Sequence, residues 1–190
     1  MILFVGLGNP TPDSKNNRHN IGFKIIDAIN QKFSLSKQKP KFKGLLTMGN
    51  INDKKVYAIK PLTFMNNSGT CIRELIEYFK IDSSDIIVFH DDLDIEFGKI
   101  KTKFGGSDAG HHGIASLDKF IGKDYSRVRV GIGRPKQKNK VNQHVLEDFS
   151  ENEEDRIKNI TDNIVKLIPA LINKEMDLFS SKVNQNLNGI

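Results

Sequence analysis

Three short apolar runs, at positions 2–5 (Ile-Leu-Phe-Val), 56–59 (Val-Tyr-Ala-Ile) and 86–89 (Ile-Ile-Val-Phe), constrain this chain most. None alternates with polar residues, so each is apolar on both faces, as strands covered from both sides require. Helical patterns lie between them. Ile25, Ile26, Ile29 and Phe33 make one stripe, and Ile72, Leu75, Ile76 and Phe79 make a second at the i, i+3, i+4, i+7 spacing of one buried helix face. Doubly buried strands alternating with amphipathic helices specify an α/β fold: a single domain with a twisted, mixed, largely parallel sheet flanked by helices. The segments 45–51 and 56–59, separated by Asn52-Asp53-Lys54-Lys55, read as a hairpin that adds an antiparallel pair.

Further on, 99–104 and 127–132 read as two more strands, around a glycine-rich loop and a short helix carrying Ile114, Leu117 and Ile121. The last third is mostly helical. Ser150 and Glu153 have the spacing of a capping box and precede Ile157, Ile160, Ile164, Leu167 and Leu171, with Pro169 placed to kink or end the helix. The asparagine-rich end, 182–190, is expected to fray, and 136–140 to form a solvated basic loop. With 190 residues and no internal repeat or linker, the chain is expected to form one domain, 1–190.

The formal net charge of +6 favours an acidic partner. Nucleic acid ranks ahead of membrane, because the sequence shows neither a long apolar segment nor a basic amphipathic anchor. Cys71 is the single cysteine, which excludes an internal disulfide and any multi-cysteine metal site and suits the cytoplasm. The apolar start runs directly into Gly6-Leu7-Gly8-Asn9-Pro10 and is too short for a signal peptide.

In open α/β sheets, ligands bind beyond the carboxyl ends of the strands, so the polar residues just past each apolar run are the ones to collect. After the first run come Asn9 and then His19, at the start of a helix; after the second come Lys60, Met65, Asn66, Asn67 and Ser68; after the third comes His90-Asp91-Asp92-Leu93-Asp94. His19 is a candidate base, since imidazole is the side chain that titrates nearest neutral pH. Asn67 or Ser68 is expected to cap the helix carrying Ile72. The loop 105–113 adds His111 and His112, and Lys101 and Lys103, two apart in a strand, share one face as a pair of cations suited to phosphate.

Gly6-Leu7-Gly8 is not a dinucleotide fingerprint, since Thr11 stands where the third glycine belongs. A Walker loop and a G-x-S-x-G elbow are also absent from the sequence, and Cys71 has no base nearby in sequence. Hydrolysis by such a chain would use water directly. A competing reading takes His90, Asp91, Asp92 and Asp94 with His111 and His112 as the metal site of a phosphohydrolase or nuclease.

Taken together, Val5-Gly6-Leu7-Gly8-Asn9-Pro10, Arg18-His19-Asn20-Ile21-Gly22, Thr63-Phe64-Met65-Asn66-Asn67-Ser68-Gly69, His90-Asp91-Asp92-Leu93-Asp94 and Arg129-Val130-Gly131-Ile132-Gly133-Arg134-Pro135 resemble the bacterial peptidyl-tRNA hydrolases, over nearly the whole chain. The resemblance implies a monomeric, metal-independent and cofactor-free enzyme of the cytoplasm that cleaves the ester between peptide and tRNA. It implies His19 as the base that activates water and Asp91 as the carboxylate that orients it, with Asn9 and Asn66 positioning peptide and water. It implies Met65, His111 and His112 at the peptide site, Asn20 at the tRNA end, and Lys103 with Arg129, supported by Lys101, as a clamp on tRNA phosphate.

Four positions depart from the family pattern: Thr11, Ser14, Asn17 and His112 stand where glycine, tyrosine, threonine and asparagine are usual. Thr11, Ser14 and Asn17 are expected to line the mouth of the site, with Ser14 among the substrate-binding residues. These departures keep open a third reading, a tRNA-binding module on the same fold without turnover.

Overall fold

A computed structural model describes residues 1–189. Seven strands, β1 (Ile2–Gly6), β2 (Lys39–Lys41), β3 (Gly44–Ile51), β4 (Lys54–Pro61), β5 (Ile86–Asp92), β6 (Ile100–Phe104) and β7 (Ser126–Gly131), form one sheet in the order β2-β3-β4-β1-β5-β7-β6. The helices are α1 (Ile21–Lys32), α2 (Ser68–Phe79), α3 (His112–Ile121), α4 (Val141–Leu146), α5 (Glu151–Lys166), α6 (Ile168–Ile172) and α7 (Met176–Asn188). The three apolar runs become β1, β4 and β5, and with β7 they form the parallel centre of the sheet; β2, β3 and β6 finish its two edges antiparallel.

Each central strand serves two cores. Ile2 and Phe4 face one side with Val56, Ala58, Ile87 and Phe89, where the stripes of α1, α5 and α7 bury them. Leu3 and Val5 face the other with Tyr57, Ile59, Ile86 and Val88, under Ile72 and Leu75 of α2 and Ile114 and Leu117 of α3. This period-2 division explains why the runs contain no polar residue. The hairpin turn is tighter than expected: β4 begins at Lys54, and Asn52 and Asp53 alone make the turn at φ 47° and 60°. Two consecutive left-handed residues match the twist of a hairpin, and Asn and Asp tolerate that conformation best after glycine.

The capping box forms on α5: Ser150 Oγ accepts from the Glu153 amide, and the Glu153 carboxylate accepts from the Ser150 amide. Pro169 lies in the first turn of α6, just past the end of α5. The expected cap of α2 is not made by a side chain; Ser68 instead donates its hydroxyl to the Met65 carbonyl. The expected fraying from 182 is also corrected, since α7 runs to Asn188 and buries Phe179 and Val183. The amide of Asn184 meets both Ile100 N (2.9 Å) and Ile100 O (2.7 Å), so the asparagine-rich segment closes the free edge of β6 as another strand would. Residue 190 lies outside the described residues. Residues 138–140 form a 3-10 turn leading into α4. Among the described residues, no helix is long and apolar enough to cross a membrane.

The glycines near the amino terminus serve packing. A Cβ on Gly22 would stand 2.4 Å from both Leu7 N and Phe89 O, and one on Gly6 would stand 2.3 Å from Gly22 O. The first turn of α1 therefore lies directly on the carboxyl ends of β1 and β5, which fixes the preceding turn, Arg18–Asn20, against the end of β5. Because the three nearest atoms the new methyl would meet are all backbone, Gly22→Ala should lower stability by about 1–3 kcal/mol. Urea unfolding of that variant, read as a lower midpoint than wild type, checks this.

Candidate active site

α1 packs on one face of the sheet and α2 on the other, so a crevice opens where β1, β4 and β5 end. Into it the 3-10 turn Arg18–Asn20 brings His19, and the last residues of β5 bring Asp91. His19 Nδ1 lies 2.8 Å from Asp91 Oδ1, and both residues are buried. A second imidazole reaches the same oxygen: His111 Nε2 is 3.0 Å from Asp91 Oδ1.

The protons follow from the partners. His111 is the N-cap of α3, and its Nδ1 accepts from the Gly113 and Ile114 amides at 3.1 and 3.3 Å, so its ring hydrogen sits on Nε2 and is donated to Asp91. Burial alone would raise the Asp91 pKa. The neighbouring imidazoles and their hydrogen bonds outweigh that and hold it well below the usual carboxylate value. Ionised Asp91 can only accept, so His19 donates from Nδ1 and keeps Nε2 as its basic nitrogen. For His19, burial favours the neutral ring, but the charge and hydrogen bond of Asp91 prevail and raise its pKa above 6.5.

His19 also lines a cleft of about 380 Å³ with Asn9, Phe64, Met65, Asn66, His112, Asn142, Val145 and Leu146. Asn9 is held by its neighbours: its Oδ1 accepts from the Met65 amide at 3.1 Å, and its main chain is bracketed by the Asn20 side chain, Oδ1 on Asn9 N and Nδ2 on Asn9 O, each at 2.9 Å. This leaves the Asn9 amide nitrogen for an occupant. Asn66 and His112 are exposed on the cleft wall. Met65 is buried beneath it against α3, where its Sδ would lie 2.6 Å from a Cβ on Gly113.

Three more of the expected site residues are buried, and two of them, Ser14 and Asn17, do not line the cleft. Asn20 is buried and spends both ends of its amide on Asn9, so its side chain braces Asn9 rather than standing free, at the edge of a second cleft that Asn9, Thr11 and Lys60 also line. Ser14 is also buried; its hydroxyl lies 2.7 Å from that of Thr11 and faces its own turn instead of the cleft. Asn17 is buried as well, and binds Asp148 at 2.8 Å. The cleft residues unmarked in the sequence, Asn142, Val145 and Leu146, come from α4. Val141 and Val145 at i, i+4 were its one signal, hidden among polar residues.

On the α2 and α3 side of the sheet, Lys101 and Lys103 of β6 lie opposite Arg129 and Arg127 of β7. Both lysines are exposed, and Arg129 is half-buried with its Nε on Asp92 Oδ2 at 2.8 Å, which ties this basic face to the residue after Asp91. Buried Arg127 was not singled out by sequence; it donates to the Ser107 carbonyl at 2.9 Å and to that of Gly105, holding the glycine-rich loop on the sheet. Gly106 adopts φ 87°, and Lys103 rests where its Cβ would be.

Neither remaining candidate forms a reactive centre. Burial, with Glu74 nearby and only Lys43 opposing, pushes the Cys71 thiol up to about 12, which makes it an inert core residue. His19, Asp91 and His111 do bring potential ligand atoms within 4.8 Å. His19 Nδ1 and His111 Nε2 carry the hydrogens donated to Asp91, however, and His111 cannot free Nε2 without abandoning two helix-capping bonds, which leaves His19 Nε2 as the one imidazole nitrogen of the three residues with a lone pair to offer. Asp92 and Asp94 turn away to Arg129 and Arg134.

The sequence profile of the peptidyl-tRNA hydrolase family matches residues 3–189. A peptidyl-tRNA hydrolase of Pelagibacter ubique is 75% identical over 184 residues, covering 97% of this chain and 99% of that protein. One from Bartonella henselae is 44% identical, covering 97% and 96%. The crystal structure of peptidyl-tRNA hydrolase from Acinetobacter baumannii superposes with a TM-score of 0.90 at 32% identity, over 97% of this chain and 94% of that one. The sequence relation runs from the first strand to the last helix and includes the strands and turns that carry His19 and Asp91: this chain belongs to the peptidyl-tRNA hydrolase family.

Proposed function

We propose that this protein hydrolyses the ester joining a peptide to tRNA, with His19 taking a proton from the attacking water. The observation that carries the reading is the buried 2.8 Å bond from His19 Nδ1 to Asp91, which leaves Nε2 as the basic nitrogen in a residue that lines the cleft. Asp91 fixes the tautomer and stabilises the imidazolium formed as water attacks, the role a carboxylate has in a serine-protease triad, here with water in place of serine. The amides of Asn9 and Asn66 and the His112 ring offer donors along the cleft for the carbonyl that becomes an oxyanion and for the water. Phe64, Met65, Val145 and Leu146 give the peptide an apolar wall.

No step of this scheme requires a metal, and the hydrogens on the His19 and His111 nitrogens oppose one. Lys101, Lys103 and Arg129 hold tRNA by phosphate, which suits an enzyme that acts irrespective of tRNA sequence. One chain supplies every residue invoked, which supports action as a monomer, and its single buried thiol suits the cytoplasm. A tRNA-binding module without turnover would have no use for a buried carboxylate and two imidazoles aligned on it.

His19→Ala should reduce release of N-acetyl-amino acid from N-acetyl-aminoacyl-tRNA by about 10²–10⁴-fold, with tRNA affinity retained; undiminished release would refute the assignment. Because His19 works only when neutral and its pKa is raised, kcat/KM should climb with pH through an acid limb centred above 6.5. In Asp91→Asn the raising influence is gone and burial remains, so the limb should move to lower pH while the plateau drops by about 10²–10⁴-fold. Titrating tRNA binding against salt should give a linear log–log dependence, and Lys103→Ala should flatten its slope by about one unit with little change in kcat.

A further inference from the structure

α4 is only six residues long, Val141–Leu146, yet it gives the cleft Asn142, Val145 and Leu146. Its own packing is thin, since none of its residues is fully buried. What holds its end is the side chain preceding the catalytic histidine. Arg18 is buried, and its Nη1 lies 3.4, 3.2 and 3.0 Å from the main-chain oxygens of His144 in the last turn of α4, of Glu147 at its C-cap and of Asp148 just beyond. Its Nη2 donates to Glu153 Oε2 at 2.9 Å, and its guanidinium lies 5.5 Å from the centre of the buried Phe149 ring.

Glu153 is shared. The same Oε2 accepts from the Ser150 amide at 2.8 Å, so the carboxylate that completes the cap of α5 also holds Arg18. The backbone repeats the connection: Arg18 N donates to Glu147 O at 3.0 Å, and Asn17 and Asp148 form an antiparallel bridge reinforced by their side chains. Residues 16–18 and 144–149 are thus stitched into one seam. On one side of it stands the base, and on the other the helix that walls the cleft.

We infer that Arg18 and Glu153 are positioning residues that lock α4 to the turn carrying His19, so that the bound peptide ester and the attacking base are referred to the same anchor. This rests on the hydrolase reading above. Misplacement by an ångström at a reacting centre can cost two orders of magnitude in rate, and in this six-residue helix Arg18 holds the carboxyl end while the His144 Nε2 contact with the Ile132 carbonyl at 3.1 Å and the packing of Val145 hold its inner face. Arg18 suits the task because its planar fork meets carbonyls and a carboxylate at once; lysine, a point donor, can keep the Glu153 contact but not the fork.

Arg18→Lys and Glu153→Gln test this in the full-length protein, the second keeping an oxygen for the Ser150 amide should the first fold poorly. Each should raise KM for N-acetyl-aminoacyl-tRNA by about tenfold, a loss of order one decade within what misplacement can cost. The acid limb of the pH profile should stay in place, and the double variant should be little worse than the poorer single one. Hydrogen exchange should quicken at the amides of 144–147 and not in the middle of α5. Faster exchange there with unaltered KM would overturn the inference, as would lost activity with α4 exchange unchanged or with α5 loosened equally. If wild type fails to hydrolyse the ester, the hydrolase reading itself fails, and the exchange pattern still reports the seam.

Discussion

One carboxylate oxygen organises this molecule. Asp91 Oδ1 lies in the interior and receives hydrogens from His19 and His111, which arrive from elements on opposite sides of it in sequence. An isolated buried carboxylate would be expensive, and here the cost is offset by two donors and by the partial positive character that each imidazole brings. The same arrangement sets the chemistry. His111 cannot compete as a base toward Asp91, because α3 holds its other nitrogen, so His19 is the imidazole left with a nitrogen free to act in the cleft. His90, against the other side of His111, is kept neutral: burial and the neighbouring His111 push its pKa well below the ordinary value, and its Nδ1 donates to the Asp91 carbonyl at 2.7 Å.

The sheet exists to deliver these groups to one edge. Its central strands end together, and the close contact of Gly22 with the backbone of Leu7 and Phe89 sets how far His19 stands from β5. A methyl group would not fit at that contact without a shift, so the absence of a side chain at Gly22 bears on where the His19 turn sits. Around this centre the cleft is assembled from pieces of very different burial: buried strands below, α3 to one side, and the short α4 held by Arg18 on the other.

Much of this was legible in one dimension. The unalternating runs marked strands covered on both faces, the helical stripes marked which residues would cover them, and the Ser150 and Glu153 spacing marked the start of α5, all because local periodicity reflects burial directly. His19, Asp91, Asn9 and Asn66 stood out because each strand delivers an amide, imidazole or carboxylate to the same edge of the sheet, and Lys101 and Lys103 because residues two apart in a strand share one face. Ser14 and Asn17 turn inward where the sequence reading puts them at the mouth of the site, and Asn20 turns its amide onto Asn9. In a 3-10 turn, neighbouring side chains point in different directions, and spacing does not say which of them turns inward. The end of the chain was misread for a related reason: Asn184 resembles a solvated tail residue until an unpaired strand edge is beside it.

By itself, then, the sequence determined the layered α/β plan, the basic character and the candidacy of His19, since each depends on composition and short-range order along the chain; the pairing of His19 with Asp91 was implied by the family resemblance. Only the tertiary structure decided that His111 shares the Asp91 oxygen with His19, that Asn20 serves Asn9, and that Arg18 reaches across more than a hundred residues of sequence to the end of α4 and to Glu153. Those contacts are made by directional groups between segments distant in sequence, and hydrogen-bond direction comes into being only when the backbone has closed around them.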